Sequence, residues 1–235
     1  MPEDKFPPHI ELIAENTLEV SRLVQIHITL TGKKGGRRSG VEVLNKSGVV
    51  LLIACWEAFI EEASRQAFKF LLRHAKDPGV FPNKVLALAG RDLKNHKDET
   101  RIWDLASDGW KKVLRTHESD VLRRHVSPVN VPDTKRVNEL FEELLGIKHL
   151  SSCWQWEGMP ATRAVKKLDQ IIKLRHEIAH NVKTATPVYK DMVIKYSHFI
   201  KRLAEVTSNR LRDFLVQRTK KKPWILVEYT GRADL

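Results

Sequence analysis

Apolar residues recur at intervals of three and four through most of the chain, and strict alternation is rare. That spacing belongs to the α-helix, where such residues share one face. It predicts helices over about 9–31, 42–76, 83–95, 100–125, 133–149, 161–181 and 188–219. The fold class is therefore all-α, a bundle with long antiparallel helices. Turn residues stand in the gaps, at Gly32 to Gly40, Asp77 to Pro82, Ser127 to Pro132, Gly158 to Pro160 and Thr184 to Pro187. Only the tail, Trp224 to Tyr229, reads as strand-like. No internal repeat divides the chain, so one helical domain is expected over about 1–222, with a tail over 223–235. Residues from about 83 to 149 read as helices inserted between an early long pair and a late long pair.

The second predicted helix forms the spine of the core. Trp56, Phe59, Ile60, Ala63, Ala67, Phe70 and Leu71 recur on it at helical spacing. Its unbroken apolar run, Val49 to Trp56, falls far short of the about 20 residues a bilayer requires, and reads as helix buried on all sides. Glu61 and Arg65 are placed for an ordinary surface pair. Glu57, flanked by Ile53, Ala54 and Ile60, is different, because a carboxylate beside a buried seam requires a partner.

Charge narrows the partners. A formal net charge of +12 favours polyanions, RNA foremost, because each phosphate neutralised by Lys or Arg releases a counterion. Cys55 and Cys153 fit neither a disulfide framework nor a C-x-x-C pair, so thiolate-zinc and redox chemistry have little support. The opening residues Pro2, Glu3 and Asp4 do not resemble a secretory signal. A reduced, cytoplasmic setting without membrane attachment is the expectation.

The helix over about 161–181 carries the candidate chemistry. On a helical wheel Leu168, Ile171, Ile172, Ile178, Ala179 and Val182 gather into one apolar arc, and Lys166, Asp169, Gln170, Lys173 and Glu177 lie opposite. Arg175 falls near the middle of the apolar arc. A guanidinium there cannot lose its proton and must face a carboxylate, a phosphate or carbonyls. A structural salt bridge, to Glu57 for example, is one solution, and a substrate phosphate is another. His176 and His180 stand one turn apart on the polar flank.

The string Arg175-His176-Glu177-Ile178-Ala179-His180, followed by Asn181, resembles the R-x(4–6)-H motif of the HEPN superfamily. Leu51 to Glu62 is similar to the first core helix of RiboL-PSP-like HEPN proteins. The resemblance is sharp over about 12 residues in each of these two helices and architectural elsewhere. It implies a HEPN-type helical bundle and metal-independent endoribonuclease activity without a cofactor, by a homodimer that joins two motifs in one cleft. Many relatives are toxins or defence effectors, which implies a cognate antitoxin or regulatory protein as a partner. Catalytically silent members that bind RNA or protein also exist. In the active reading His180 moves protons at the 2′-hydroxyl and the leaving 5′-oxygen, and Arg175 holds the phosphate. His180 stands at the helix end that suits a cation, hence an acid role. His176 becomes a substrate contact or second proton carrier, and Glu57 orients Arg175 or a histidine. One difficulty is geometric: Arg175 and His180 lie about 140° apart on the wheel.

The same letters, His176-Glu177-Ile178-Ala179-His180, match the H-E-x-x-H pattern of zinc hydrolases, with Glu205 as a possible third ligand. The missing sheet, the preceding arginine and the absence of a third histidine between Asn181 and Val188 count against it.

Further cations cluster in the glycine-rich segment carrying Lys33, Lys34, Arg37 and Arg38, read either as an RNA-guiding loop or as a solvated turn. Two more basic groups are Arg218 to Lys222 and the set Lys111, Lys112, Arg115, Arg123 and Arg124. Trp154 and Trp156 precede the motif helix, placed either to stack on unpaired bases or to pin a loop to the core.

Overall fold

The computed structural model describes residues 5–32, 40–126, 131–181 and 184–228. Eight α-helices are found among them: α1 (Pro8–Thr31), α2 (Glu42–His74), α3 (Asn83–Ala89), α4 (Arg91–Lys94), α5 (Gly109–His125), α6 (Thr134–Leu145), α7 (Ala161–Asn181) and α8 (Lys190–Thr219). Short 3-10 turns occupy Pro78–Val80, Glu99–Leu105 and Leu150–Cys153. No strand forms among the described residues beyond one isolated bridge between Trp156 and Met159.

The chain is all-α, and α2 is its axis. Helices α1, α7 and α8 pack around α2, while α3, α5 and α6 pack on one another and α5 and α6 also touch α2. Trp56, Phe59, Ile60, Ala63, Ala67 and Leu71 are fully buried, so the helical period on α2 identifies the core face. Phe70 is a correction: it is half-buried beside His74, and Phe68 is the buried ring. Trp56 donates its indole N–H to the Pro132 carbonyl at 3.0 Å. Its polar edge is thereby satisfied inside the core.

The Val49 to Trp56 run is not buried all round. Val50 and Leu51 are half-buried and Ala54 is exposed. By length and composition α2 would be long and apolar enough to cross a membrane, but half of that apolar stretch is buried by the other helices. The remaining apolar side opens into a groove described below.

Three predicted helices end or break early. The helix expected over 83–95 is interrupted at Gly90, between α3 and α4. The one expected over 100–125 begins as a 3-10 turn and restarts at Gly109 after Ser107, whose φ is 54°. Ser107-Asp108-Gly109 is a turn signal that the hydrophobic period had outweighed. Helix α6 stops at Gly146, whose left-handed φ of 73° lets the Gly146 and Ile147 amides cap the Glu142 and Phe141 carbonyls. The tail is also corrected. Residues 224–228 form no strand; Trp224 is buried, Ile225 N–H donates to the Lys5 carbonyl at 3.1 Å, and Val227 N–H donates to Asn209 Oδ1 at 3.0 Å.

Candidate functional site

Burial along α7 fades toward its C-terminus. Ala164, Leu168, Ile171 and Ile172 are buried; Leu174, Arg175, Glu177 and Ile178 are half-buried; His176, Ala179, His180 and Asn181 are exposed. The apolar arc therefore holds for its first two turns, and Ala179 departs from it because the helix is emerging from the bundle there. Val182 lies outside the described residues.

Arg175 projects into the seam between α7 and α2. Its Nε is buried and has no hydrogen-bond partner among the described residues. Glu57 approaches the same seam from α2, half-buried, with Oε1 buried and equally without a partner. Burial pushes the Glu57 carboxyl above the usual carboxylate range, and the Arg175 charge opposes that shift. The two groups thus feel each other electrostatically, yet no ion pair within 4.0 Å joins them among the described residues. By contrast Glu61 holds Arg65 at 2.7 Å on the same helix, so ordinary pairing geometry is available to α2.

His176 and His180 share the outer flank of α7. Their rings stack nearly parallel, 6.0 Å between centroids and 14° between planes. No hydrogen bond links either histidine to Arg175, in keeping with the wheel separation of about 140° between Arg175 and His180. The third zinc ligand weighed from the sequence does not join the pair. Glu205 is buried on α8, where the Arg202 guanidinium donates to both carboxylate oxygens at 2.6 and 2.5 Å. Among the described residues no group of three or more His, Cys, Asp or Glu side chains is placed to hold a metal.

Beside the motif lies a mainly apolar groove of about 460 Å³, lined by Leu23 of α1, Val43, Lys46, Ser47, Val50, Leu51 and Ala54 of α2 and Ile178 of α7. The periodicity did not disclose it, because it forms only where three helices meet.

The other candidates divide. Lys33, Lys34, Arg37 and Arg38 lie outside the described residues. In the third basic group Lys111 pairs with Asp108, Arg123 with Asp120 and Arg124 with Glu143, each at 2.8 Å or less. Trp154 is fully buried and donates to Thr207 Oγ1 at 2.9 Å, so it pins the 150–159 segment to α8 and has no face for a base. Trp156 is half-buried, with its ring 5.9 Å from Phe199. Burial pushes the thiols of Cys55 and Cys153 up to about 11 and about 12, which keeps both protonated and unreactive near neutral pH.

Neither the curated proteins nor the solved structures give a match to this chain. A family model does: the one described as RiboL-PSP-HEPN matches residues 12–213, from the first turns of α1 to near the end of α8. With the match covering both helices that carry the motif and most of the chain, the protein belongs to the RiboL-PSP-HEPN family.

Proposed function

We propose that the chain is a metal-independent endoribonuclease acting through Arg175 and His180. The observation that carries this reading is the state of Arg175: a guanidinium at a helix seam whose Nε is buried and meets no acceptor among the described residues. Such a group remains costly until an anion meets it, and a phosphate diester is the anion its planar fork suits. His180, exposed in the last turn of the same helix, supplies an imidazole as the proton carrier. The 2′-oxygen attacks phosphorus as its proton is removed, the bond to the 5′-oxygen breaks, and that oxygen gains a proton. The products are a 2′,3′-cyclic phosphate and a 5′-hydroxyl end. His176, stacked on His180, serves as the second proton carrier or a substrate contact, and Glu57 positions Arg175.

A homodimer answers the wheel separation, because Arg175 of one copy and His180 of the other then meet across the interface. The apolar groove lined by Ile178 and Val43 supports pairing of copies on this side. A cytoplasmic toxin or defence effector, restrained by a cognate protein, is the setting this activity fits. The second reading is a silent RNA-binding module, favoured by the absence of any hydrogen bond between Arg175 and the histidines.

RNA cleavage in the presence of a chelator separates the readings. Wild type is expected to cleave with EDTA present; Arg175→Ala lowers the rate by about 10²- to 10³-fold and His180→Ala by about 10²- to 10⁴-fold. Binding without cleavage supports the silent module. Activity lost to EDTA and restored by zinc supports the His176 and His180 metal site, and either result refutes the proposal.

A further inference from the structure

A second cationic site lies on the far side of α7. Lys167, half-buried in its middle, places Nζ 4.6 Å from the centre of the Phe199 ring on α8. Lys195 of α8 lines the same cleft together with Trp156, Met159, His198 and Arg202, around a volume of about 340 Å³. The Trp156 and Met159 backbones exchange hydrogen bonds of 3.0 and 2.9 Å, a tight turn that sets both side chains on one wall. Arg202 lies over the Trp156 ring, 5.9 Å from its centre, while its charge is held by Glu205. Glu157, exposed, is the one carboxylate in the lining.

Two features mark this as more than a solvated basic surface. Burial lowers the Lys167 pKa, and the like charge of Lys195 lowers it further. Neither lysine has an ion pair among the described residues. Two ammonium groups held near each other, one of them partly desolvated, are unfavourable until an anion joins them. The cleft falls within the about 300–1,000 Å³ usual for organic ligands, far above the share of one small ion. Its aromatic and thioether wall suits a flat ring. We propose that this cleft is a nucleotide subsite, with a base against Trp156 and Met159 and its phosphate between Lys167 and Lys195.

The subsite is separate from the cleavage proposal. Lys167 lies about 12 Å along the α7 axis from Arg175 and about 180° around it from His176. A free nucleotide and an unpaired strand both present a base and a phosphate, and separate probes tell these two sources apart.

The test is titration calorimetry on the full chain with a strand probe methylated at its 2′-oxygens, which cannot be cut by 2′-oxygen attack and makes the result independent of which residues cleave RNA. The probes are adenosine monophosphate, a short single-stranded oligoadenylate so methylated and inorganic phosphate, each at low salt. Saturable binding of the mononucleotide identifies a free-nucleotide site; binding of the strand alone identifies a strand subsite. In either case Lys167→Gln with Lys195→Gln is expected to weaken binding about tenfold or more, and to flatten its salt dependence by roughly one power of salt for each lysine. Trp156→Leu should weaken nucleotide binding and leave inorganic phosphate unaffected. Lys195→Gln alone, at an exposed position, should weaken binding without disturbing the fold. Unchanged affinity in the Lys195→Gln protein, or inorganic phosphate binding as tightly as either nucleotide probe, overturns the proposal.

Discussion

Glu57 and Arg175 feel each other across the α2–α7 seam without forming an ion pair among the described residues. A carboxylate whose pKa is raised in the fold binds protons more tightly there than in the unfolded chain. Its stabilising effect is therefore present below its unfolded pKa and is lost as pH rises through the folded value. At neutral pH the ionised Glu57 works against folding, because its desolvation exceeds the help it gains from Arg175. Glu57→Gln removes that charge and keeps the shape. The variant is expected to match wild type near pH 4 and to become more stable than wild type toward pH 7. With the group half exposed, the gain is under about 1 kcal/mol. Thermal melts across that range would check this, and a variant less stable than wild type at pH 7 would mean that an unseen ion pair holds Glu57. If Glu57 positions Arg175, the same variant loses cleavage rate while gaining stability, a trade common where a site is held under tension.

At the scale of elements, the motif was legible because α7 is long, strongly periodic and flanked by turn residues. The wheel placed Leu168, Ile171 and Ile172 in the core, and they are there. It misplaced Ala179, since a single-sequence wheel contains the face of a helix but not how far along it neighbours extend. Breaks at Gly90 and Ser107 were missed for a related reason: the apolar period continues through them, and only local backbone preference interrupts it. Close approach of helices was likewise hidden. Gly48 of α2 has no side chain where Val193 of α8 packs, and a Cβ built there would stand 2.9 Å from Val193 Cγ1. In the sequence this glycine is only a weak point in a helix. In the fold it sets the α2–α8 distance, so Gly48→Leu should cost about 1–3 kcal/mol by overpacking. Urea denaturation measures the loss, and an unchanged midpoint would show that the seam between these helices yields freely.

Over the whole molecule, fold class and the two motif helices were open to inspection of the sequence, whereas the cleft of Lys167, Lys195 and Trp156 was not. Its members come from three separate segments that only tertiary packing assembles. The same is true of the junction that ties the chain ends together. His9 near the start of α1 is fully buried, 2.8 Å from Ser208 Oγ on α8, with its ring 4.8 Å from Trp224 in the tail and 5.7 Å from Phe59 on α2. Burial lowers its pKa from 6.5 to about 3, so the folded protein keeps this ring neutral where the unfolded chain protonates it. Between those two values the unfolded state binds the extra proton, and stability must fall as pH falls. Each pH unit in that window removes about 1.4 kcal/mol for one such group. His117, whose pKa is lowered chiefly by burial, acts in the same direction. The net charge of +12 grows further as carboxylates protonate, which adds self-repulsion to the same trend. Denaturant midpoints should therefore drop between pH 7 and pH 5. In His9→Phe the ring contacts remain, Ser208 loses its partner at a cost of about 1–3 kcal/mol at pH 7, and the decline toward pH 5 becomes shallower. The two curves converge on acidification if His9 is the acid-sensitive joint between α1, α8 and the tail; parallel curves would place that sensitivity elsewhere.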